Sequence, residues 1–304
     1  MILAPVGAGK TAITLTAMQS ALHEGVVNRF LVLAPKRVCT SVWLQERDKW
    51  APNMSMAVAV GTPKQRAAAF NSVADVVVTN YDNLQSLPHL DFDGIVFDEL
   101  TRLKNPSGAR FKALHKLIDC PVRWGLTGSF TSNGLEDVFG QCKIVDQKLL
   151  GRSKGAFQQQ YFYLVNKEFN DWAPRKGSLE AVMERIKPAT FVLDAGEYKD
   201  KLPPLHTVEV RCDMDMTKYD EMKKDFVVEF PTAKAIAVNA AVVTGKLQQM
   251  ASGFVYGDST EWFSTHKFDA LDDLLAENQR ANTIIFYTYQ EELAELKRRY
   301  PKAR

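Results

Sequence analysis

Cysteine is sparse in this chain. Its four residues, Cys39, Cys120, Cys142 and Cys212, lie far apart, with no C-x-x-C pair and no histidine at ligand spacing. That pattern argues against structural zinc and against a disulfide framework, and it fits a reducing compartment. The five histidines form no metal-binding spacing of their own. Long apolar runs are missing too: no stretch approaches the roughly 18 residues that a membrane helix needs, so no membrane partner is expected. The opening run Met1–Pro5 is too short for a secretory signal and is interrupted at once by glycines. Charge of one sign does not dominate either. Against 36 Asp and Glu stand 38 Lys and Arg, a formal +2, which by itself names no polyanionic partner. Internal repeats and low-complexity tracts are absent.

What is present is the composition of a soluble globular protein with a well-filled core, 46% apolar and 24% charged. A length of 304 residues leads to an expectation of two domains. The charge is uneven along the chain. Between Lys143 and Lys187 there are nine Lys and Arg against five Asp and Glu, a local excess of four. A solvated face explains that plainly; a phosphate-binding face is the sharper alternative.

The first half alternates short apolar runs with helical patterns. Strands are expected at Ile2–Ala4, Phe30–Ala34, Met56–Val60, Asp75–Thr79, Gly94–Phe97 and Arg123–Thr127. Helices are expected at Thr11–His23, Ser41–Lys49, Lys64–Asn71 and Ala109–Ile118. Apolar runs without polar alternation mark strands buried on both faces, and the layout reads as a doubly wound α/β fold with a parallel sheet. Such folds bind ligands at the carboxyl ends of the strands, where the polar and glycine-rich residues of this chain collect. After Gly140 the texture becomes aromatic and Gln-rich, with a helix at Leu179–Ile186. Beyond Leu202-Pro203-Pro204 a strand is expected at Thr207–Cys212, then helices at Lys218–Val228, Ala233–Met250 and Phe268–Glu277. A final strand is expected at Thr283–Tyr287.

Ala4-Pro5-Val6-Gly7-Ala8-Gly9-Lys10-Thr11 reads as a P-loop, with Ala4 at the place of the usual first glycine. Val6, Gly7, Ala8 and Gly9 would turn backbone N–H groups toward phosphate oxygens, helped by the dipole of the following helix. Lys10 would neutralise the outer phosphates and the Thr11 hydroxyl would bind Mg2+. Ile95-Val96-Phe97-Asp98-Glu99 ends a buried strand in two acids. Downstream of a P-loop in the same sheet, Asp98 suits a magnesium ligand that acts through the ion's coordinated water, and Glu99 the base that orients and deprotonates the attacking water. Thr127-Gly128-Ser129 offers two hydroxyls on a glycine turn, which could instead simply cap that turn. Lys36 and Arg37, and Asn80 and Tyr81, follow two further strands and are candidates for DNA-backbone contacts, with solvated loop residues as the alternative. Trp43, Trp50 and Trp124 read as core.

On these residues the chain resembles superfamily-two helicases, specifically the Swi/Snf-type DNA-dependent ATPases. Asp98-Glu99-Leu100-Thr101-Arg102-Leu103-Lys104-Asn105 is similar to that family's D-E-x-H-x-x-K-N, with Thr101 where the family has histidine. Leu126–Asn133 is similar to L-T-G-T-P-x-x-N, with Ser129 for Thr and Phe130 for Pro. Leu33-Ala34-Pro35, Val78-Thr79-Asn80-Tyr81 and Ile284-Ile285-Phe286 are similar to further family segments, and the P-loop looks most like bacteriophage members.

The resemblance implies two RecA-like lobes, with ATP and Mg2+ as cofactors and duplex DNA as partner. It implies a coupling role for Thr127, Gly128 and Ser129 and work in the cytoplasm, a host cell's if the protein is viral. Lobe one with its helical insertion would span 1–212, and 213–304 would be a helical region and the start of a second, C-terminally incomplete lobe. The family's cross-cleft arginine would then lie beyond residue 304. Two other readings stay open: a nucleotide-gated DNA-binding module without hydrolysis, and the motor subunit of a restriction or defence system with a partner protein.

Overall fold

The computed structural model describes residues 1–86, 92–114, 120–132, 134–193, 205–229, 234–236, 240–278 and 282–303. Two compact units divide the chain, Met1–Pro203 and Pro204–Arg304.

The first unit is built on a parallel sheet of seven strands. In chain order they are β1 (Ile2–Leu3), β2 (Phe30–Ala34), β3 (Met56–Ala59), β4 (Val76–Asn80), β5 (Gly94–Asp98), β6 (Val122–Thr127) and β9 (Phe191–Val192). They lie side by side in the order β3-β4-β2-β5-β6-β1-β9, each pair in parallel register. The side-chain period of two sorts one strand onto both faces. Leu31 and Leu33 join Val77, Ile95 and Phe97 in one buried cluster, whereas Phe30, Val32 and Ala34 join Val76, Val78 and Val96 in the other. Apolar residues at successive positions are therefore what a sheet covered on both sides requires.

The covering helices are α1 (Lys10–His23), α2 (Lys36–Thr40), α3 (Val42–Trp50), α4 (Pro63–Phe70), α5 (Ala109–Leu114) and α6 (Asp137–Val145). Local chemistry starts α4: Thr62 and Gln65 form a reciprocal capping box with Pro63 at the first helical position, a device worth about 1 kcal/mol. Close approach fixes α6. A Cβ on Gly140 would collide with the Lys104 carbonyl, and Lys104 pairs with Asp137 of the same helix at 3.1 Å. The segment that follows β5 is thereby pinned. After α6 come α7 (Lys154–Tyr161), an antiparallel hairpin of β7 (Phe162–Asn166) and β8 (Asp171–Pro174), and α8 (Ser178–Ile186). Phe139, Phe157, Phe162, Val182 and Ile186 form their common core.

The second unit contains α9 (Thr217–Asp225), the hairpin β10 (Val227–Glu229) and β11 (Lys234–Ile236), α10 (Ala240–Met250), the hairpin β12 (Phe254–Tyr256) and β13 (Thr260–Trp262), α11 (His266–Glu277) and α12 (Gln290–Arg299). Met222, Val228, Val243, Met250 and Val255 are buried together.

The six early strands and the α/β class expected from sequence are found, with ends shifted by at most one residue. Four expectations need correction, the first being the helix expected over Lys218–Val228, which ends at Asp225 before a strand that begins at Val227. Lys36–Thr40 is a short helix of its own, not a loop. The helix expected over Ala233–Met250 starts at Ala240, after a hairpin strand. No ladder forms at Thr207–Cys212 or Thr283–Tyr287 among the described residues, and Val208, Ile284 and Phe286 there are 78%, 80% and 90% exposed. A parallel strand holds its shape only with neighbours to complete its N–H and C=O pairing.

Candidate active site

Strand order brings the chemistry together. The ends of β5, β6 and β1 are consecutive in the sheet, so Asp98-Glu99, Thr127-Gly128-Ser129 and the loop from Pro5 to Gly9 emerge side by side. Leu3 pairs with Thr127 and Asp98 with Leu126, which levels the three segments.

The loop after β1 depends on left-handed backbone at Gly7 (φ 80°) and Gly9 (φ 77°), conformations that cost a side-chain-bearing residue about 1–2 kcal/mol. Gly9 is also the N-cap of α1 and supplies no side-chain partner, so the first N–H groups of that helix face the loop. Lys10 folds back over it. Its Nζ donates to the carbonyls of Ala4 and Pro5, both at 2.8 Å. Burial pushes the Lys10 ammonium below the ordinary lysine range, and the Asp98 and Glu99 carboxylates oppose that shift. Thr11 follows in the first turn of α1, and Val6 is 81% exposed at the tip of the loop.

β6 is tied to this loop. The Thr127 carbonyl accepts the Ala4 N–H at 3.2 Å, and the buried Thr127 hydroxyl accepts the Ser129 N–H at 3.1 Å. A Cβ on Gly128 would stand 3.7 Å from Lys10 Nζ, which measures how near this turn comes to the ammonium. Ser129 is exposed beside it.

Asp98 is mostly buried. Burial pushes its carboxyl above the usual carboxylate range; the Trp43 hydrogen bond opposes this, the Glu99 charge adds to it, and Lys10 opposes it again. Trp43 Nε1 donates to Asp98 Oδ2 at 3.0 Å. Glu99 adopts left-handed backbone, φ 62°, and its Oε1 accepts the hydroxyl of Thr101. A non-glycine residue in this conformation is strained by on the order of 1–3 kcal/mol, the kind of strain that functional sites store.

The residues proposed for DNA contact separate. Lys36 and Arg37 are exposed on α2. Asn80 and Tyr81 are 5% and 2% exposed, and both are corrected as direct contacts. The Asn80 side chain is occupied by Asp82 (3.3 Å) and Asn83 (2.7 Å). The Tyr81 hydroxyl donates to the Asp98 carbonyl at 2.8 Å, while the Arg102 guanidinium lies 6.0 Å from its ring centre. Two site contacts escape the sequence reading, the bonds of Trp43 and Tyr81 to Asp98, while Thr101, singled out there only as standing in the histidine's place, is found bonded to Glu99. One signal could have found Trp43, since a buried indole N–H requires an acceptor.

No helix among the described residues is long and apolar enough to cross a membrane.

Comparison with known proteins supplies context for this geometry. A family model described as "SNF2-related domain" matches residues 2–246. "Putative protein p41" of Acyrthosiphon pisum secondary endosymbiont phage 1 is 33% identical over 100% of this chain and 71% of its own length. An "uncharacterized ATP-dependent helicase", MG018 of Mycoplasma genitalium, is 24% identical over 93% of this chain but only 27% of its own. Among solved structures, the Sulfolobus solfataricus SWI2/SNF2 ATPase core in complex with dsDNA superposes with a TM-score of 0.53 at 25% identity, covering 63% of this chain and 39% of that one. The chain thus spans most of the phage relative and well under half of the other two.

Proposed function

The chain belongs to the SNF2-related family, and on that premise we propose that it is an ATP-driven motor that moves along duplex DNA. One observation carries the reading: a glycine-turned phosphate loop with its lysine, an acid pair, and a hydroxyl-bearing glycine turn converge at three neighbouring strand ends, β1, β5 and β6.

In this reading the N–H groups of Val6 to Gly9 and of the first turn of α1 take the phosphates of ATP. Lys10 exchanges its two carbonyl partners for the outer phosphate oxygens, so the ammonium already poised over the loop needs only a short swing. Thr11 and Asp98 have the hard oxygen donors that suit magnesium, which when bound with ATP neutralises phosphate charge and polarises the terminal phosphoryl group. Glu99 accepts a proton from the attacking water as the water oxygen bonds to the terminal phosphorus. The bond from that phosphorus to the bridging oxygen breaks, leaving ADP and inorganic phosphate. Thr127, Gly128 and Ser129, bonded to the phosphate loop through Ala4, form the route by which loss of the terminal phosphate reaches β6.

Lys36 and Arg37 contact the sugar-phosphate backbone in this proposal, without sequence preference. Residues 1–212 act as the first motor lobe and 213–304 as part of a second. The phage relative supports work in the cytoplasm of an infected cell.

The test is steady-state ATP hydrolysis by the chain with duplex DNA, single-stranded DNA, RNA and no nucleic acid. Duplex DNA is expected to stimulate most. Turnover indifferent to every nucleic acid would sink the motor reading. Joint binding of ATP and DNA without turnover would replace it by a nucleotide-gated binding module.

A further inference from the structure

Asp98 is anchored at two points by residues from two different segments. Its Oδ2 accepts the Trp43 indole N–H at 3.0 Å, and its main-chain carbonyl accepts the Tyr81 hydroxyl at 2.8 Å. Both anchoring side chains are enclosed, Trp43 completely and Tyr81 at 2% exposure. Packing alone does not call for the Tyr81 hydroxyl, since phenylalanine fills nearly the same space without it, while the larger Trp43 indole fills its pocket and brings a buried N–H that must find an acceptor. Burial also strengthens both bonds and makes their loss costly.

Each anchor is a close neighbour of exposed cations. Trp43 is the second residue of α3, and Ser41 couples that helix to α2. The Ser41 hydroxyl and N–H both donate to the Arg37 carbonyl, at 2.7 and 3.2 Å. Lys36 and Arg37 stand exposed on α2. On the other side, the Tyr81 ring lies under the exposed Arg102 guanidinium, in the wall of a cleft of about 490 Å³ that Asp82, Asn105 and Arg110 also line. A backbone phosphate drawn to Arg37 or to Arg102 therefore acts on elements whose inner ends are bonded to Asp98.

We propose that Trp43 and Tyr81 are positioning residues that tie these two cationic rims to Asp98, so that a bound duplex sets how well Asp98 holds magnesium. The identity of the bound polyanion rests on the motor reading above; the anchoring of Asp98 does not. Trp43 fixes the carboxylate itself and Tyr81 fixes the strand end that carries it, so the two contributions are separable. Loss of the first leaves the carboxylate free to turn away from the metal. Loss of the second loosens the link to the Arg102 rim while the carboxylate keeps its partner.

The experiment compares the whole chain with its Trp43→Phe and Tyr81→Phe variants. Magnesium is titrated into the protein with a fluorescent ATP analogue, so that binding is read without turnover. Duplex affinity is read by fluorescence anisotropy, and the stimulation of ATP hydrolysis by saturating duplex is measured in parallel. Trp43→Phe is expected to raise the magnesium half-saturation roughly tenfold, the scale of a lost hydrogen bond to a charged group. Tyr81→Phe is expected to bind duplex with wild-type affinity yet lose most of its stimulation. Circular dichroism checks that each variant folds, and Tyr81→Phe, which removes a single oxygen, keeps the question open to decision if Trp43→Phe does not. Wild-type magnesium half-saturation and wild-type stimulation in both variants would overturn the proposal. If the unmodified chain ignores DNA, the motor reading and the coupling fall together, and the magnesium titration alone decides whether Trp43 positions Asp98.

Discussion

The hydroxyl of Thr101 donates to Oε1 of Glu99, two residues before it in the chain. Glu99 is held in left-handed backbone between β5 and the 3-10 turn Leu100–Leu103, so its carboxylate direction depends on few partners. Thr101 stands where the resembled family has histidine, and here a neutral hydroxyl takes up the carboxylate. Thr101→Val keeps the shape and removes the donor. It is expected to lower kcat roughly tenfold, about 1.4 kcal/mol, with nucleotide affinity little changed. Thr101→Ser should retain most of the activity. Wild-type kcat in the folded valine variant would show that the bond does not orient the base.

Lys10 carries a different expectation. Its ammonium is desolvated against the Ala4 and Pro5 carbonyls, and burial outweighs the pull of Asp98 and Glu99 in setting its pKa direction. Before ATP binds, therefore, the charge is a cost to the fold. Lys10→Ala should abolish measurable ATP turnover without lowering the thermal midpoint. A folded variant that still turns over ATP near the wild-type rate would remove Lys10 from the mechanism, and a large fall in midpoint would make its role structural.

Much of the first unit was legible because it obeys short-range rules. The runs Phe30–Ala34 and Gly94–Phe97 read as buried strands since both faces of the sheet are covered, and Gly7-Ala8-Gly9-Lys10-Thr11 carries its own backbone requirement. The contacts that hold Asp98 were not legible. Trp43 and Tyr81 lie 55 and 17 residues from it along the chain, and only the strand order β4-β2-β5 brings them near. Periodicity also failed on three-residue strands. Val227–Glu229 and Phe254–Tyr256 are shorter than the window in which alternation can be recognised, although the short glycine-containing connection Gly257-Asp258-Ser259 after Phe254–Tyr256 is a hairpin signal.

In the second unit, α11 and α12 are joined by a charge cluster. Arg299 donates to Glu295 at 2.7 Å and to Asp269 at 2.9 Å, and it also pairs with Asp272; Arg298 adds two bonds to Glu295 at 2.6 and 2.7 Å. The Arg298 hydrogen bonds, ahead of those from Arg299, hold the Glu295 carboxyl down to about 2, against 4.5 for an unperturbed glutamate. A carboxyl depressed in the folded state contributes stability above its unfolded pKa and loses it as pH falls through the folded value. Glu295→Gln should therefore reduce protection of the α12 amides against hydrogen exchange, corrected for intrinsic rates, at pH 7. The difference should narrow as pH falls from about 4.5 toward about 2. A gap independent of pH would mean that the Glu295 charge, paired with Arg298 and Arg299 on the same helix, does not hold α12.

The exposed cations on α2 give the most direct test of where the duplex runs. Lys36 and Arg37 are exposed at the carboxyl end of β2, two strands from the phosphate loop's neighbour β6. Asn80 and Tyr81, by contrast, are enclosed and otherwise engaged. Backbone contacts release condensed counterions, and each neutralised phosphate of duplex DNA contributes about −0.9 to the slope of log K against log salt. If Lys36 and Arg37 each meet one phosphate, their joint replacement by alanine should flatten that slope by up to about 1.8. Asn80→Ala should leave it unchanged, because an enclosed amide releases no counterion. The measurement is duplex binding by anisotropy over a salt series for the three proteins, with a fixed short duplex. Weakening is expected to be equal across unrelated duplex sequences, since these contacts read no bases. A slope untouched by the double replacement would move the duplex path off α2, to the basic stretch between Lys143 and Lys187 or to the rim of Arg102 and Arg110.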